Sequence, residues 1–534
     1  MTRRMAMLNG NDLLQAGWPP GPHLSKMLSA VADMEARGIS DREYALKLLR
    51  RDFPPPPAKL RMRPASAPLA EAITATSDVD VQNIGNVRRQ MNELLRTPVI
   101  GRGAIMPDAC PAGAGVAVIP VGGAISVRNA IIPSAHSEDV CCSLFASFYR
   151  SPQPVSSQLD ALMASTRFGM GGRPQEDWVH HPVLDEEVWE NPFLSGLERH
   201  AAMHLADQGD GNHFAWLGEV TLDPAQLERL RQEGYATHGD ALAADDGQPT
   251  RWQVLVTHHG SRGLGAHVYK RGQKAALAHT SRIAENVPAA AAWLDADSPE
   301  GTAYWEALQY VSRWTLANHR SIHSRFLERL EVTPATQFGN EHNFVWKRGD
   351  DFLHGKGATP AWRDETGRPL LGLIPLNMAA PVLLVLGGDN EEFLSFAPHG
   401  AGRNLSRTAL IKPWRDAAGV LDPLTVERVV NEHTKGLDIR WYAGKPDLSE
   451  SPIAYKSAAQ VTSQIREFGL AEIVAEIQPL GCIMAGDAGP RPWQRLKDEL
   501  TPKQKRQIVH RAGRRKIRQD LRHPDDPPDD PDEP

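Results

Sequence analysis

Side chains that can bind metals occur in four short segments, beside glycines or between apolar runs of the sequence. The candidate ligands and their polar neighbours are Asp139, Cys142, Asn212, His213, His258, His342 and Asn343. No standard zinc spacing such as paired CxxC motifs is present, so each segment alone also fits a hydrogen-bonded structural role. Together they could hold two metal ions about 3.5–4 Å apart, which clamp the attacking and leaving oxygens in a displacement at phosphorus. A cysteine thiolate can bridge such ions, and Asp139 is close enough to Cys142 in sequence to bind the same pair.

A histidine in a glycine-rich turn is the best candidate for a nucleophile. The segment SFAPHGAGRNLSR, residues 395–407, contains His399 followed by Arg403 and Arg407. Glycines let backbone N–H groups approach a phosphate closely, and arginine side chains pair with its oxygens. A neutral histidine in such a turn can attack the α-phosphate of a nucleotide and form a covalent intermediate. We therefore predict a phosphate site in this segment, with His399 as the nucleophile.

Two other basic residues flanked by glycines are further candidates for phosphate binding. Lys356 lies in HGKGAT, residues 354–359, and Arg262 lies in GSRG, residues 260–263. Neither segment matches the P-loop pattern, and no GxGxxG motif follows a predicted strand, which disfavours the ordinary nucleotide-binding folds. Each segment alone is equally typical of a tight turn, whereas the three basic segments together favour a phosphate-binding surface.

The composition is that of a folded protein without a disulfide framework. The chain has 534 residues, of which 41% are hydrophobic and 23% charged, a net charge of −6, and four cysteines, two of them adjacent. Adjacent cysteines argue against disulfide pairing and leave thiols free to bind metal. The sequence has no apolar run long enough to span a membrane, and its first residues lack the apolar stretch of a secretory signal. We expect no membrane association and a cytoplasmic location.

The elements that must position these residues follow an α+β pattern. Short β-rich runs bounded by glycines occur at 116–122, 251–259 and 380–388, and a helical stretch occurs at 302–330. Residues 76–487 therefore predict one large domain of α+β or mixed α/β architecture.

Two flanking regions differ from this domain in composition. Residues 1–75 predict a small helical module with a proline-rich linker. Its phrase LNGNDLLQAGWPPGPHL resembles a helical element of tRNA nucleotidyltransferases, and RNA docking and a plain helical hairpin both stay open. Residues 488–534 are basic, then acidic and proline-rich, which predicts a partly disordered extension. Its basic part is either a phosphate-binding tail or a solvated helix face.

An ordered series of motifs resembles that of the RtcB RNA ligases over about residues 100–460. The matching segments are MPDAC, EDVCC, GNHF, HHGSRGLG, EHN, HGKGAT, LIPLNM, HGAGR with a following SR, and AYK. The resemblance implies an RtcB-like core with a two-metal cleft and an RNA ligase that depends on GTP and two Mn²⁺ ions. A ligand set of histidine and cysteine also suits zinc, so the identity of the metal in vivo is left open.

The resemblance also implies a role for each matching residue. One metal ion would be held by Asp139, Cys142 and His213, and the other by Cys142, His258 and His342, with Cys142 as the bridge. His399 falls on the histidine that becomes guanylylated. The residues implied for the nucleotide are Asn212, His342, Asn343, His399, Gly400, Ala401, Gly402, Arg403 and Tyr455. Those implied for RNA or phosphate are Asp108, Arg262, Lys356, Arg403 and Arg407.

The implied reaction joins an RNA 3′-phosphate or 2′,3′-cyclic phosphate end to a 5′-hydroxyl end, in RNA splicing or repair. An activating protein partner is left open. Several positions depart from the family pattern. Cys110 stands where the family has a histidine, Cys141 where it has a glycine, and Leu376-Asn377-Met378 where it has Gly-Ser-Met. Trp216 stands where the family has a glutamate, and Ala485 where it has a lysine that contacts guanine. The alternatives are therefore a divergent paralogue acting on other ends or nucleotides, and a non-catalytic RNA-binding protein.

Overall fold

Helices and strands are interspersed along the chain in a computed structural model that describes residues 7–54, 59–113, 115–169, 171–235, 248–417 and 419–487. The helices of these residues are α1 Gly10–Gln15, α2 His23–Ala36, α3 Arg42–Asp52, α4 Asp78–Leu94, α5 Val155–Ser165, α6 Glu198–Met203, α7 Pro224–Gln232, α8 Leu264–Ile283, α9 Pro299–Leu330, α10 Arg407–Ile411, α11 Pro423–His433 and α12 Ala458–Glu467. The strands are β1 Leu60–Arg61, β2 Leu69–Glu71, β3 Ile100–Cys110, β4 Val121–Arg128, β5 Ala130–Ile131, β6 Ser143–Tyr149, β7 Arg167–Phe168, β8 Asp207–Gly209, β9 Phe214–Leu222, β10 Thr250–His259, β11 Ala284–Glu285, β12 Leu294–Asp295, β13 Thr336–Glu341, β14 Asn343–Arg348, β15 Asp351–Lys356, β16 Ala358–Pro360, β17 Leu371–Pro375, β18 Val382–Gly387, β19 Phe396–Pro398, β20 Asp438–Trp441 and β21 Ala471–Met484. The predicted α+β class is confirmed, and the predicted extension at 488–534 lies outside the described residues.

Most of the elements predicted from the sequence are present, with one exception. Strands β10 and β18 and helix α9 coincide with the predicted runs. The run at 116–122 is different, because β4 begins only at Val121 and the residues before it form no strand. Pro120 has no N–H group to donate to a strand ladder, which accounts for the late start. No described helix is both long and apolar enough to cross a membrane.

The largest sheet of the described chain has eight strands and carries one side of the candidate site. Its order is β13-β6-β10-β9-β21-β18-β17, with antiparallel neighbours, and β20 pairs in parallel with β21. Side chains alternate along each strand, so Leu144, Ala146 and Phe148 of β6 face one side of the sheet. They pack there in an apolar core to which β9, β10, β18 and β21 also contribute. The serines of β6 point the other way, toward α9.

The side chain of Asn340 closes this sheet by joining its two end strands. Its Nδ2 group donates to the carbonyl of Leu373 at 3.1 Å, and the Leu373 N–H donates to its Oδ1 at 3.0 Å. Asn340 belongs to β13 and Leu373 to β17, the two end strands of the sheet. In a closed barrel, backbone hydrogen bonds would join these two strands, whereas here the amide side chain of Asn340 joins them.

Replacing Asn340 by leucine should break the connection between β13 and β17 and destabilise the fold. Leu373 is fully buried, so its backbone N–H and carbonyl would lose their partners, at a cost of about 1–3 kcal/mol for each unsatisfied group. We expect the free energy of unfolding in urea to fall by about 2–4 kcal/mol. Asn431→Leu on the exposed face of α11 is the matched control and should change it by less than about 0.5 kcal/mol. Equal stability of the two variants would contradict the proposed closure.

A second sheet of five strands supplies the other side of the candidate site. Its order is β14-β15-β4-β3-β2, and β2 and β3 are parallel. The pair β16 and β19 connects it to the segment that contains His399. The two sheets therefore bring residues from opposite halves of the sequence to one cleft.

Helix α9 supports the large sheet through a buried polar network. The Thr257 hydroxyl group lies 2.7 Å from His319 Nδ1 and 2.8 Å from His323 Nε2. On the neighbouring strand, Ser143 and Ser147 contact the other nitrogens of the same two rings. These hydrogen bonds satisfy polar groups that burial would otherwise leave unpaired.

The N-terminal helices form a small unit with an apolar core of their own. The buried residues of this core are Leu8, Leu13, Trp18, Met27, Val31, Met34, Ala45 and Leu49. The Trp18 indole N–H donates to the Phe53 carbonyl at 2.7 Å and joins the loop after α1 to the end of α3. Strands β1 and β2 fall in the region predicted as module and linker, yet they pair with β11 and β3. Residues 60–71 thus pack with the main body.

Candidate functional site

Four of the predicted ligands lie at one edge of the large sheet, at the ends of four neighbouring strands. In the antiparallel register, Ser143 of β6 pairs with His259 of β10 on one side and with Glu341 of β13 on the other. Cys142 and His342 each lie one residue beyond the pair Ser143–Glu341, on the same side of it. They are therefore adjacent. His258 lies near the end of β10, opposite Phe214 at the start of β9. Strand order thus gathers residues from distant segments.

The described residues contain two groups of three side chains whose ligand atoms lie within 4.8 Å of one another, and Cys142 belongs to both. In one group, Cys142 Sγ is 3.2 Å from His258 Nε2, which is 3.2 Å from His342 Nε2. In the other, His213 Nε2 is 3.6 Å from Cys142 Sγ and 3.0 Å from Asp139 Oδ2. The structure brings together all five predicted ligands in the predicted grouping.

The donor atoms of these groups suit a bound cation. His258 Nδ1 faces the Asn212 carbonyl, an acceptor, at 3.2 Å, so its proton is on Nδ1 and the Nε2 lone pair points toward Cys142 and His342. Burial lowers the pKa of His258 to about 3 and holds the pKa of His342 well below its usual value. Both rings are therefore neutral at pH 7, as metal ligation requires. A divalent ion would satisfy lone pairs that otherwise face one another.

His399 lies beside these ligand groups and is held by a buried carboxylate. Its ring centroid is 4.8 Å from that of His342. Its Nδ1 forms a short hydrogen bond with Asp108 Oδ2, and its backbone N–H donates to the same oxygen at 3.3 Å. The Asp108 side chain is fully buried. A carboxylate at Nδ1 fixes the proton there and leaves Nε2 with a lone pair. Asp108, predicted to bind RNA or phosphate, thus contacts the candidate nucleophile.

The turn after His399 requires its glycines because it packs against the strand that carries Asp108. Gly402 has φ of +69°, and a Cβ atom there would lie 2.0 Å from the Asp108 carbonyl oxygen. Any other residue would push the turn away from β3. The Gly402 carbonyl accepts a hydrogen bond from the Lys456 N–H at 3.0 Å, so a second segment holds the turn.

Two predicted arginines meet on a buried glutamate. Arg403 Nη2 and Arg407 Nη2 each lie 2.6 Å from an oxygen of Glu450, which is 2% exposed. The Tyr455 hydroxyl group donates to Glu450 at 2.8 Å, and the Arg403 guanidinium lies 4.7 Å from the Tyr455 ring centroid. Burial, with the nearby Glu450, raises the pKa of Tyr455, so its hydroxyl group keeps its proton. This cluster presents two oriented cations to the cleft.

The remaining predicted residues have different environments. Asn343 uses its side chain for two backbone partners, the Asp139 carbonyl at 3.2 Å and the Gly357 N–H at 2.8 Å. Lys356 donates to the Ile119 carbonyl at 3.3 Å, and burial lowers the pKa of its ammonium group. Arg262 does not line the cavity that holds His258 and His399, but lies on the Nδ1 side of the His213 ring.

Sequence reasoning missed Glu450 and Lys456. Glu450 orients both arginines, and Lys456 Nζ donates to the carbonyls of Pro107 and Ala109 on either side of Asp108. Lys456 follows Tyr455 in the AYK motif, which is a signal that could have found it. Glu450 is a single acidic residue without spacing to any motif, and only the fold identifies its partners.

A cavity of about 410 Å³ joins these parts. Its lining includes Asp139, Cys142, Asn212, His258, His342, Asn343, Lys356, His399, Gly400, Ala401, Gly402, Arg403, Arg407, Glu450 and Tyr455. This volume falls within the range of about 300–1,000 Å³ that is usual for small-molecule sites. The fold and the cleft together define a class of protein. It is a mixed α/β protein in which two candidate metal-ligand groups share one cysteine and lie beside a histidine that is hydrogen-bonded to a buried carboxylate.

Comparison with known proteins identifies the family. The model of the family described as tRNA-splicing ligase RtcB matches residues 185–485, more than half of the chain, and the chain therefore belongs to the RtcB family. A protein named tRNA-splicing ligase RtcB from Thermococcus kodakarensis is 26% identical over 321 residues, which cover 53% of this chain and 60% of that protein. Its namesake from Pyrococcus furiosus is 26% identical over 324 residues, covering 53% of this chain and 30% of that protein.

A bacterial relative aligns over more of its length. The protein named RNA-splicing ligase RtcB from Escherichia coli K12 is 24% identical over 437 residues, which cover 74% of this chain and 94% of that protein. The chain spans less than two thirds of the length of the Thermococcus kodakarensis and Pyrococcus furiosus proteins.

Proposed function

We propose that this protein is an RNA ligase that joins RNA 3′-phosphate or 2′,3′-cyclic phosphate ends to 5′-hydroxyl ends through a guanylylated His399. The observation that carries the proposal is the pairing of His399 Nδ1 with the buried Asp108 carboxylate beside His342. That pairing leaves Nε2 as the nitrogen able to attack phosphorus. Membership of the RtcB family supports RNA as the substrate.

In the first step of the proposed reaction, His399 Nε2 attacks the α-phosphorus of GTP. A nitrogen–phosphorus bond forms, the bond from the α-phosphorus to the bridging oxygen breaks, and pyrophosphate leaves. Positive charge develops on the ring during the attack, and the Asp108 carboxylate at Nδ1 stabilises it. Arg403 and Arg407, oriented by Glu450, supply positive charge for phosphate oxygens.

The later steps pass the nucleotide to RNA and release it. A cyclic end is first opened by water to a 3′-phosphate, and an oxygen of that phosphate attacks the phosphorus of the His399 adduct, which frees Nε2. The RNA 5′-hydroxyl oxygen then attacks the activated 3′-phosphate, loses its proton and expels GMP, which leaves a phosphodiester bond.

Asp139, Cys142, His213, His258 and His342 would hold the two metal ions. Such ions, Mn²⁺ in this proposal, polarise phosphate oxygens and lower the charge repulsion between the reacting groups.

The proposal is tested by RNA end chemistry. With GTP and MnCl₂, the full-length protein should join a 3′-phosphate RNA to a 5′-hydroxyl RNA and should leave a 3′-hydroxyl RNA and a 5′-phosphate RNA unjoined. Gel analysis of labelled oligonucleotides measures both. Joining of only the second pair of ends would exclude the proposed order of steps, since the activated phosphate would then come from the other strand.

Asp108→Asn should slow nucleotide transfer while leaving the fold and the metal groups intact. An amide facing Nδ1 can donate to it, which would move the ring proton to Nε2 and remove the attacking lone pair. We expect the rate of adduct formation to fall by about 10²–10⁴-fold, as for other histidines held in the wrong tautomer. The control is bound metal, which should match that of the unmodified protein. An unchanged rate would show that Asp108 does not orient His399.

A further inference from the structure

A second cavity, of about 460 Å³, lies between α9 and β13, an end strand of the large sheet. Ser312, Leu316 and Arg320 line it from α9, and Glu341 lines it from β13. Its volume falls within the range of about 300–1,000 Å³ that is usual for small-molecule sites. Leu316 and Arg320 are exposed, so the cavity reaches solvent. It shares no lining residue with the cavity that contains His399 and is therefore a separate candidate site.

The Glu341 carboxylate lies in this second cavity without a cation of the protein beside it. One of its oxygens accepts a short hydrogen bond from the Ser312 hydroxyl group. Within the part of the chain that the structure describes, no lysine or arginine forms an ion pair with Glu341. Arg320 lies eight residues after Ser312 in α9, which corresponds to about 12 Å of helix rise. A carboxylate that is largely removed from water is costly unless it is paired, so a bound cation would stabilise it.

Two tryptophan rings also line the second cavity. The ring centroids of Trp346 and Trp362 are 5.8 Å apart, and the ring planes meet at 79°. Both side chains are only partly buried. The face of an indole ring attracts cations, and the guanidinium of Arg348, which does not line the cavity, lies 5.1 Å from the centroid of the Trp362 ring. Aromatic rings together with a carboxylate favour an ammonium group.

We propose that the second cavity binds a small organic cation with a single ammonium group on an apolar or aromatic body. The ammonium group would pair with Glu341, and the body would lie against Trp346 and Trp362. Arg320, at the far end of the cavity, would repel a second positive charge, which disfavours diamines. This site does not depend on the proposed ligase function, because the two cavities have no lining residue in common.

Isothermal titration calorimetry of the full-length protein with phenethylammonium chloride tests the proposal, and 2-phenylethanol is the neutral probe of matching shape. The cation should bind at least about tenfold more tightly than the alcohol, because a hydrogen bond between charged groups contributes more than one between neutral groups. Glu341→Gln should weaken binding of the cation at least about tenfold. Glu331→Gln, at the exposed end of α9, is the matched control and should leave it unchanged. Equal affinity for the two probes, or no saturable binding of the cation, would overturn the proposal.

A second variant tests the site without removing Glu341. Leu316 is 39% exposed and lies one helical turn from Ser312, so Leu316→Lys should keep the circular dichroism spectrum of the folded protein. Its ammonium group would reach the Glu341 carboxylate and should abolish binding of phenethylammonium. Leu277→Lys is the matched control, since Leu277 is 47% exposed on α8, and it should retain binding. Retained binding in Leu316→Lys would place the cation elsewhere and overturn the proposal.

Discussion

Replacing His399 by alanine should abolish the covalent nucleotide adduct and reduce RNA joining by at least about 10⁴-fold, the scale of loss when a covalent nucleophile is removed. The side chain lies at the junction of the two sheets, between the two candidate ligand groups and Asp108. Among the described residues that line the cavity, it is the histidine outside both ligand groups. Incubation with α-labelled GTP, followed by denaturing electrophoresis, measures the adduct directly.

The controls for this variant separate chemistry from folding. Bound metal should match that of the unmodified protein, because neither three-residue group includes His399. The variant should keep the circular dichroism spectrum of the folded protein, although the buried Asp108 carboxylate loses its partner and thermal stability falls. Persistence of the adduct in His399→Ala would identify another nucleophile. Lys356 would then be the first candidate, since it lines the same cavity and burial lowers the pKa of its ammonium group. Loss of that adduct in Lys356→Ala would establish the reassignment.

Replacing Cys142 by alanine should remove metal from both groups at once. Each group has three protein ligands and shares this sulfur, so its loss leaves two ligands at each ion. We expect metal content after loading with Mn²⁺ and desalting, measured by mass spectrometry, to fall from about two ions per chain to near zero. Nucleotide transfer should fall with it, because the phosphates would lose the neighbouring cations.

The adjacent cysteine provides a matched control for this prediction. Cys141 is fully buried and lies outside both ligand groups. Cys141→Ala should retain the metal content of the unmodified protein, although both variants lose one buried thiol. Retention of one or two ions by Cys142→Ala would contradict a bridging role for this residue.

The sequence indicated the site residues better than it indicated how they meet. His399 and Cys142 lie in short motifs, so glycine spacing and residue type reveal them locally. Their meeting depends on the strand order β13-β6-β10-β9, which joins segments some 200 residues apart, such as Cys142 and His342. Local patterns do not contain that order. The family resemblance supplied the grouping that the spacing alone left open.

Single polar residues were beyond the reach of sequence reasoning for a different reason. Asn340 and Glu450 act through partners that are distant in the chain, Leu373 in one case and two arginines in the other. Neither residue belongs to a pattern of side chains that repeats with the period of a helix or a strand, and neither lies in a glycine-rich turn. Their identity as buried polar groups becomes visible only when the surrounding strands and loops are in place.

The candidate ligand atoms lie at the ends of strands, so they meet only when those strands are paired in the correct register. A slip of one residue between β6 and β10 would turn each side chain of the slipped strand to the opposite face, so Cys142 and His258 would no longer converge. A collapsed chain with misaligned strands would have the right composition and yet lack either three-ligand group. Ion uptake during refolding would therefore report correct alignment of distant strands rather than compaction.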